Sequence, residues 1–151
     1  MINDQQFKKT ASIKKIHAFT RRTSTERPLF LSGVSAGFPS PADDYLDRKL
    51  DLNEHLIKNP AATFFVRVAG DSMTGAGIND DDILVVDRCL EPASGNIVIA
   101  VINGELAVKR LLKKNGNCQL VAENQHYPAL EITEETPLEI WGVVTYAIHR
   151  L

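Results

Sequence analysis

Ile97-Val98-Ile99-Ala100-Val101-Ile102-Asn103-Gly104-Glu105-Leu106-Ala107-Val108-Lys109-Arg110-Leu111-Leu112 reads as a β-hairpin. Asn-Gly suits the two positive φ angles of a two-residue hairpin turn, and the flanking runs are rich in strand-forming residues. The turn sets the register: Ile102 faces Glu105, Ala100 faces Ala107 and Val98 faces Lys109. Alternation then gathers Val98, Ala100, Ala107, Lys109 and Leu111 on one face and turns Arg110 to the other. Lys109 is thus one amine among aliphatic neighbours. Burial of that face would disfavour its charged form and draw its pKa below the ordinary ~10.4. Read from the hairpin alone, the expected outcome is milder: the stem lies on apolar surface and the ammonium snorkels to solvent.

Outward from the hairpin, Thr63–Val68, Ile83–Asp87, Cys118–Ala122 and Leu138–Ile148 are further short, β-branched runs bounded by turn residues. Upstream, residues 28–41 hold three prolines and two glycines, which makes an extended, poorly pairing segment. Two short helices are expected next. Ser40 caps the first, with Pro41 at its opening position and Asp43 in its first turn. Asp51 and Glu54 form a capping box ahead of Leu56-Ile57, and Asn59-Pro60 ends the second helix. The expected architecture is mostly β, with short helices and a flexible N-terminal arm.

At 151 residues, 44% hydrophobic and 24% charged, the chain fits one domain with a real core. The apolar run 97–102 is far short of the ~18 residues that a membrane span needs, and no apolar stretch near residue 1 resembles a secretory signal. Cys89 and Cys118 are too few for a disulfide framework and lack metal-ligand spacing, so reduced thiols are expected. The net charge of −2 hides an asymmetry. Residues 1–27 carry seven cations against two acids, a balance of +5, and the remainder carries ten against seventeen, −7. Such an arm can meet phosphates, an acidic partner or its own body. With only Ile13, Ile16 and Phe19 as apolar anchors, it is expected to be a mobile terminus.

Gly70-Asp71-Ser72-Met73 follows the strand Phe64–Val68, and Gly70 allows a sharp turn that presents Ser72 at a rim. A serine there becomes a nucleophile if a base lies within hydrogen-bond reach. His17, His55, His126 and His149 sit in no triad context, which leaves Lys109 as candidate base in a Ser-Lys variant of triad chemistry. Turn serines are common, so this motif is weak by itself. Asp80-Asp81-Asp82 lacks EF-hand spacing and reads as a solvated turn. Gly75-Ala76-Gly77 lacks the third glycine of a dinucleotide loop and reads as a flexible turn, and Phe64, Phe65 and Trp141 read as core residues. No metal or cofactor is expected.

Taken together, Ala36-Gly37, Gly70-Asp71-Ser72-Met73 and Val108-Lys109-Arg110-Leu111 resemble the LexA/UmuD family of self-cleaving Ser-Lys peptidases. The resemblance extends through Gly37–Tyr45, Asp51-Leu52-Asn53, Gly77-Ile78-Asn79-Asp80 and Trp141-Gly142-Val143-Val144, covering roughly residues 29–149. The stretch around Gly37–Tyr45 points to the UmuD branch. By resemblance, Ser72 is the nucleophile, Lys109 the general base and Ala36-Gly37 the scissile bond. Residues 1–36 are then an arm removed by self-cleavage, and residues 37–151 a β-rich peptidase and polymerase-accessory domain. Two features depart from the branch: Ala36 stands where its better-known members have cysteine, and the basic arm is longer than usual.

The resemblance implies an SOS mutagenesis protein: a bacterial, cytoplasmic homodimer that cleaves itself when it meets a RecA–single-stranded DNA filament. The shortened form would serve a UmuC-type, Y-family translesion polymerase as accessory subunit. The rival readings are a LexA- or phage-type repressor, a signal-peptidase-like enzyme and a non-enzymatic binding module. No helix-turn-helix pattern precedes Gly37, so sequence-specific DNA binding is not expected, nor is membrane association.

Overall fold

The expected hairpin forms with the expected register. In the computed structural model, which describes residues 12–19, 24, 26–30 and 46–151, Val98 pairs with Lys109, Ala100 with Ala107 and Ile102 with Glu105. Asn103 and Gly104 take φ values of 49° and 82° at the turn. In chain order the strands are β1 (Ser12–Ala18), β2 (Glu26–Phe30), β3 (Leu46–Asp51), β4 (Thr63–Ala69), β5 (Ile83–Asp87), β6 (Ile97–Ile102), β7 (Glu105–Lys114), β8 (Asn117–Val121), β9 (Leu130–Ile132) and β10 (Leu138–Ile148). Helix α1 (Leu52–Leu56) follows β3, and 3-10 turns occupy Pro60–Ala62 and Thr74–Ala76. The chain divides into two units, Met1–Phe19 with Asn59–Leu151, and Thr20–Lys58.

In the larger unit, eight strands form one antiparallel sheet in the order β1-β4-β5-β10-β6-β7-β8-β9. β1 also meets β7, through Ser12 opposite Ala107, so the sheet curls back on itself. One buried cluster contains Val66, Val68, Met73, Leu84, Ile99 and Val108; another contains Val98, Ala100, Leu111, Leu120 and Val143. Alternation along β6 and β7 sends neighbouring residues to different clusters, which is why Ala107, Val108 and Lys109 are buried in succession. Each such aliphatic side chain contributes about 1.5–3 kcal/mol on leaving water. Phe64 and Trp141 pack edge to face at 6.5 Å against the first cluster.

β10 joins the two halves of the sheet. Its Leu138–Val143 segment pairs with β6, and its Val143–Ile148 segment pairs with β5. Gly142 marks the exchange, where a Cβ would lie 2.8 Å from Val86 Cγ1 and 3.0 Å from the Asp87 carbonyl oxygen.

The first strand corrects the expectation of a mobile terminus for residues 12–18. β1 completes a backbone ladder with β4, in which Ile13 faces Val68 and Ile16 faces Val66. The sparse anchors suffice because the β4 edge supplies the hydrogen bonds: Ile13 packs on the core, and Phe19 meets Phe65 edge-on at 6.0 Å. Lys14 also binds the protein's own acidic turn, 3.5 Å from Asp80 and 3.4 Å from Asp81.

In the smaller unit, β2 and β3 form an antiparallel pair, so the segment that opens at Pro28 does pair, in a two-stranded sheet where every strand is an edge. α1 starts where expected. Asp51 Oδ1 accepts from the Asn53 N–H at 2.9 Å, and Ser24 Oγ donates to Asp51 Oδ2 at 2.8 Å. Residues 31–45, including Ala36-Gly37 and the start of the helix expected at Ser40, lie outside the described residues.

Candidate active site

β4 ends at Ala69, and Gly70 turns the chain with φ 95°. The turn is held from the acidic segment after it. Asp80 Oδ1 accepts the Gly70 N–H at 2.8 Å, and that bond above all holds the Asp80 carboxyl below the usual range; burial opposes it and Lys14 reinforces it. The Val68 N–H donates to the Asp82 carbonyl at 2.9 Å, and the Asp81 N–H returns the bond to Val68 at 3.0 Å. Asp82 itself is buried, accepting from the Asn79 N–H at 2.8 Å and lying 2.6 Å from His149 Nδ1. The expectation of a solvated Asp80–Asp82 turn therefore fails at Asp82, whose carboxylate has polar partners inside the fold. Asp81 stays exposed and meets Lys14 and Arg67.

Ser72 and Met73, at the centre of this turn, are fully buried, and Met73 belongs to the core. Backbone bonds from Thr74 to Asp71 (3.3 Å) and from Ala76 to Met73 (3.0 Å) close the turn over them. Gly75 is not the flexible element that the sequence suggested. Its N–H donates to the Glu123 carbonyl at 2.7 Å, and a Cβ there would fall 2.5 Å from that oxygen.

Lys109 sits on β7 opposite Val98 with 7% of its surface exposed. Snorkelling is ruled out because the face that carries it is covered. Burial alone drives its pKa below that of an ordinary lysine. Among the described residues, no carboxylate forms an ion pair with it.

The curl of the sheet brings the two sequence-selected residues to one region. Ser12 on β1 pairs with Ala69 on one side and with Ala107 on the other. Both partner strands run antiparallel to β1, so they continue in the same direction past it. Ser72 follows Ala69 by three residues and Lys109 follows Ala107 by two. With strands spaced ~4.8 Å apart, the two backbones flanking Ser12 are about 10 Å apart.

One side chain that sequence reasoning missed spans the gap. Tyr127 donates its hydroxyl to Asp71 Oδ1 at 2.5 Å, while Lys109 Nζ lies 5.8 Å from its ring centroid. Asn124 Nδ2 also donates to the Asp71 carbonyl, at 3.0 Å. A cleft of about 690 Å³ opens here, lined by Thr74, Gly75, Glu123, Asn124, His126 and Tyr127 among others. Asn124-Gln125-His126-Tyr127-Pro128 reads in sequence only as a turn, and no spacing rule ties it to Ser72 or Lys109.

This curled, mostly β fold is consistent with the class of self-cleaving serine peptidases to which the sequence belongs. The chain belongs to the Peptidase S24-like family, which residues 28–145 match, and within it to the UmuD-like SOS mutagenesis proteins. It is similar to Protein ImpA of Escherichia coli, with 47% identity over 133 residues covering 82% of this chain and 84% of that one. Protein SamA of Salmonella typhimurium is 50% identical over 123 residues, 82% of this chain and 85% of its own. The LexA repressor of Shewanella denitrificans is 36% identical over 99 residues, 66% of this chain and 48% of the repressor. No helix among the described residues is long and apolar enough to cross a membrane.

Proposed function

We propose that this chain cuts its own Ala36–Gly37 bond with Ser72 as nucleophile and Lys109 as general base. The observation that carries the reading is the buried, aliphatically surrounded Lys109, whose pKa burial lowers, on the strand beside the Ser72 turn. A lysine of this kind offers a neutral amine, which an exposed lysine near pH 7 does not. Lys109 Nζ takes the Ser72 hydroxyl proton as Oγ attacks the Ala36 carbonyl carbon. The tetrahedral species collapses as the Ala36–Gly37 C–N bond breaks, and Nζ returns the proton to the departing Gly37 nitrogen. Water then hydrolyses the Ala36 ester and restores the Ser72 hydroxyl, with Lys109 again relaying the proton. Ala36 and Gly37 suit a shallow site with close backbone approach.

In this reading residues 1–36 are the arm removed and residues 37–151 the functional product. The peptide cut off includes β1, the strand that pairs with β4 and β7 in the intact chain. RecA–single-stranded DNA filaments stimulate the reaction in the cytoplasm. The processed homodimer then serves a UmuC-type Y-family polymerase as accessory subunit, without reading DNA sequence itself. The experiment incubates the full chain with activated RecA filaments and identifies any new N-terminus. A product starting at Gly37, abolished by Ser72→Ala and by Lys109→Ala, is expected. A different start, or normal cutting by either variant, overturns the assignment.

A further inference from the structure

Resting on that reading, we infer that Tyr127 is a positioning residue for the self-cleavage reaction, one side chain that pins the serine turn through Asp71 and caps Lys109 with its ring. The residue before Ser72 is held twice from the same loop: Tyr127 grips its carboxylate and Asn124 its carbonyl. The loop is in turn fixed to both partners. Glu123 pairs with Arg110, the residue after Lys109, and the Glu123 carbonyl receives the Gly75 N–H, three residues after Ser72. Arg110 is itself tied to the Gly95 carbonyl at 2.6 Å. A shift of the loop therefore moves the serine turn and the lysine cover together.

The ring has two opposed effects on Lys109. Its π face attracts an ammonium, while its bulk keeps water off one. At 5.8 Å the nitrogen stands near the ~6 Å limit of the cation–π range, where attraction is weakest, so exclusion of water dominates. The lowered pKa, with burial as its cause, agrees. Val98 lies across the ladder from Lys109, Ala107 and Leu111 share its face, Asp71 stands behind Tyr127, and Arg110 carries Glu123 to the opposite face of β7. The β1 cation Lys14 is taken up by Asp80 and Asp81. The latch also survives the conditions in which the base works. The bond to Asp71 foremost, then burial and the Asp71 charge, raises the Tyr127 pKa, so its hydroxyl stays a donor as pH rises toward deprotonation of the lysine.

The test is the pH profile of self-cleavage by the full chain carrying Tyr127→Phe, Tyr127→Leu, Asp71→Ala or Tyr127→Phe with Asp71→Ala, each checked for wild-type melting. Tyr127→Leu should move the midpoint of the alkaline rise upward; a shift of one unit reduces the neutral amine, and the rate well below the midpoint, about tenfold. Tyr127→Phe keeps the ring, so its midpoint should stay while its plateau rate falls. Asp71→Ala should lower the plateau by the same factor, and the double variant should be no slower than either single, as for two halves of one latch. Full additivity, or wild-type profiles for both Tyr127 variants, would overturn the inference. A slower Tyr127→Leu with an unmoved midpoint would also overturn it, since lost structure lowers rate without retuning the base. If Tyr127→Leu does not fold, the Tyr127→Phe and Asp71→Ala cycle decides alone. Normal cutting by Ser72→Ala or Lys109→Ala would instead refute the dyad underneath.

Discussion

Replacing Gly75 by alanine drives a methyl group into backbone that has no room for it. The new Cβ would sit 2.5 Å from the Glu123 carbonyl oxygen and 3.2 Å from its carbon. An ordinary carbon–oxygen approach begins at ~3.3 Å, so the loop must retreat by about 0.8 Å. Such overpacking costs about 1–3 kcal/mol, and stretching the 2.7 Å bond from the Gly75 N–H to that oxygen loses up to about 1 kcal/mol more. Alanine returns about 0.4–1 kcal/mol by restricting the unfolded chain. The clash wins, with a net loss of about 1–3 kcal/mol, which lowers the melting temperature of a chain this size by about 3–10 °C. Self-cleavage should also slow, because the retreating loop carries Tyr127 and Asn124 away from Asp71. Gly77→Ala is the contrast: nothing lies within 4 Å of its Cβ, and it pays only for its φ of 76°. Thermal unfolding by circular dichroism, followed by a cleavage time course at one alkaline pH, measures both effects. If Gly75→Ala melts and cleaves like wild type, the close contact between the serine turn and the Glu123 loop is wrong.

Lys109→Met should stabilise the fold near neutrality, because burial disfavours the charged amine and methionine has no charge to desolvate. Because Lys109 has a lower pKa folded than unfolded, the unfolded chain binds the extra proton between that lowered value and 10.5. Wild-type stability therefore rises with pH across the window, and its deficit against Lys109→Met should close by its upper end, as denaturant titrations at several pH values would reveal. Asp80→Ala should lower the melting temperature at neutral pH by freeing the Gly70 N–H. The Asp80 pKa is depressed, so its contribution is complete above the ordinary aspartate value of 3.8 and fades as pH falls through the folded pKa; paired melts at neutral and strongly acid pH check this. His149→Ala should cost about 1–3 kcal/mol, because the buried Asp82 carboxylate loses a partner. A urea midpoint equal to wild type would contradict that.

Much of this fold is legible where local chemistry and tertiary placement agree. Asn103-Gly104 dictates a turn, the turn dictates a register, and the register puts Lys109 opposite Val98 before any coordinate is known. The bounds of β5, β6 and β10 follow from β-branched runs flanked by turn residues. Ser12–Ala18 was not legible as a strand, because its pairing energy comes from the β4 edge and its own side chains are mostly exposed. The burial of Lys109 depends on a covering loop whose residues lie well over a dozen positions away in sequence, so the hairpin alone points to a snorkelling lysine. Tyr127 was invisible for the same reason: its partners, Asp71 and Lys109, come from two other parts of the sheet. Asp82 misled because its neighbours Asp80 and Asp81 are exposed, while its own carboxylate turns inward to Asn79 and His149.

The central claim is that a buried, neutral Lys109 activates Ser72 to cut before Gly37. Its most direct test is the rate at which a Gly37 N-terminus appears from the purified full chain without RecA, measured across neutral and alkaline pH for wild type and Lys109→Arg. The account predicts that the wild-type rate climbs with pH, levels off below the ordinary lysine pKa of 10.5, and is absent in Lys109→Arg, because arginine keeps its proton. A rate that does not change over that range in folded protein, or a working Lys109→Arg variant, would contradict it.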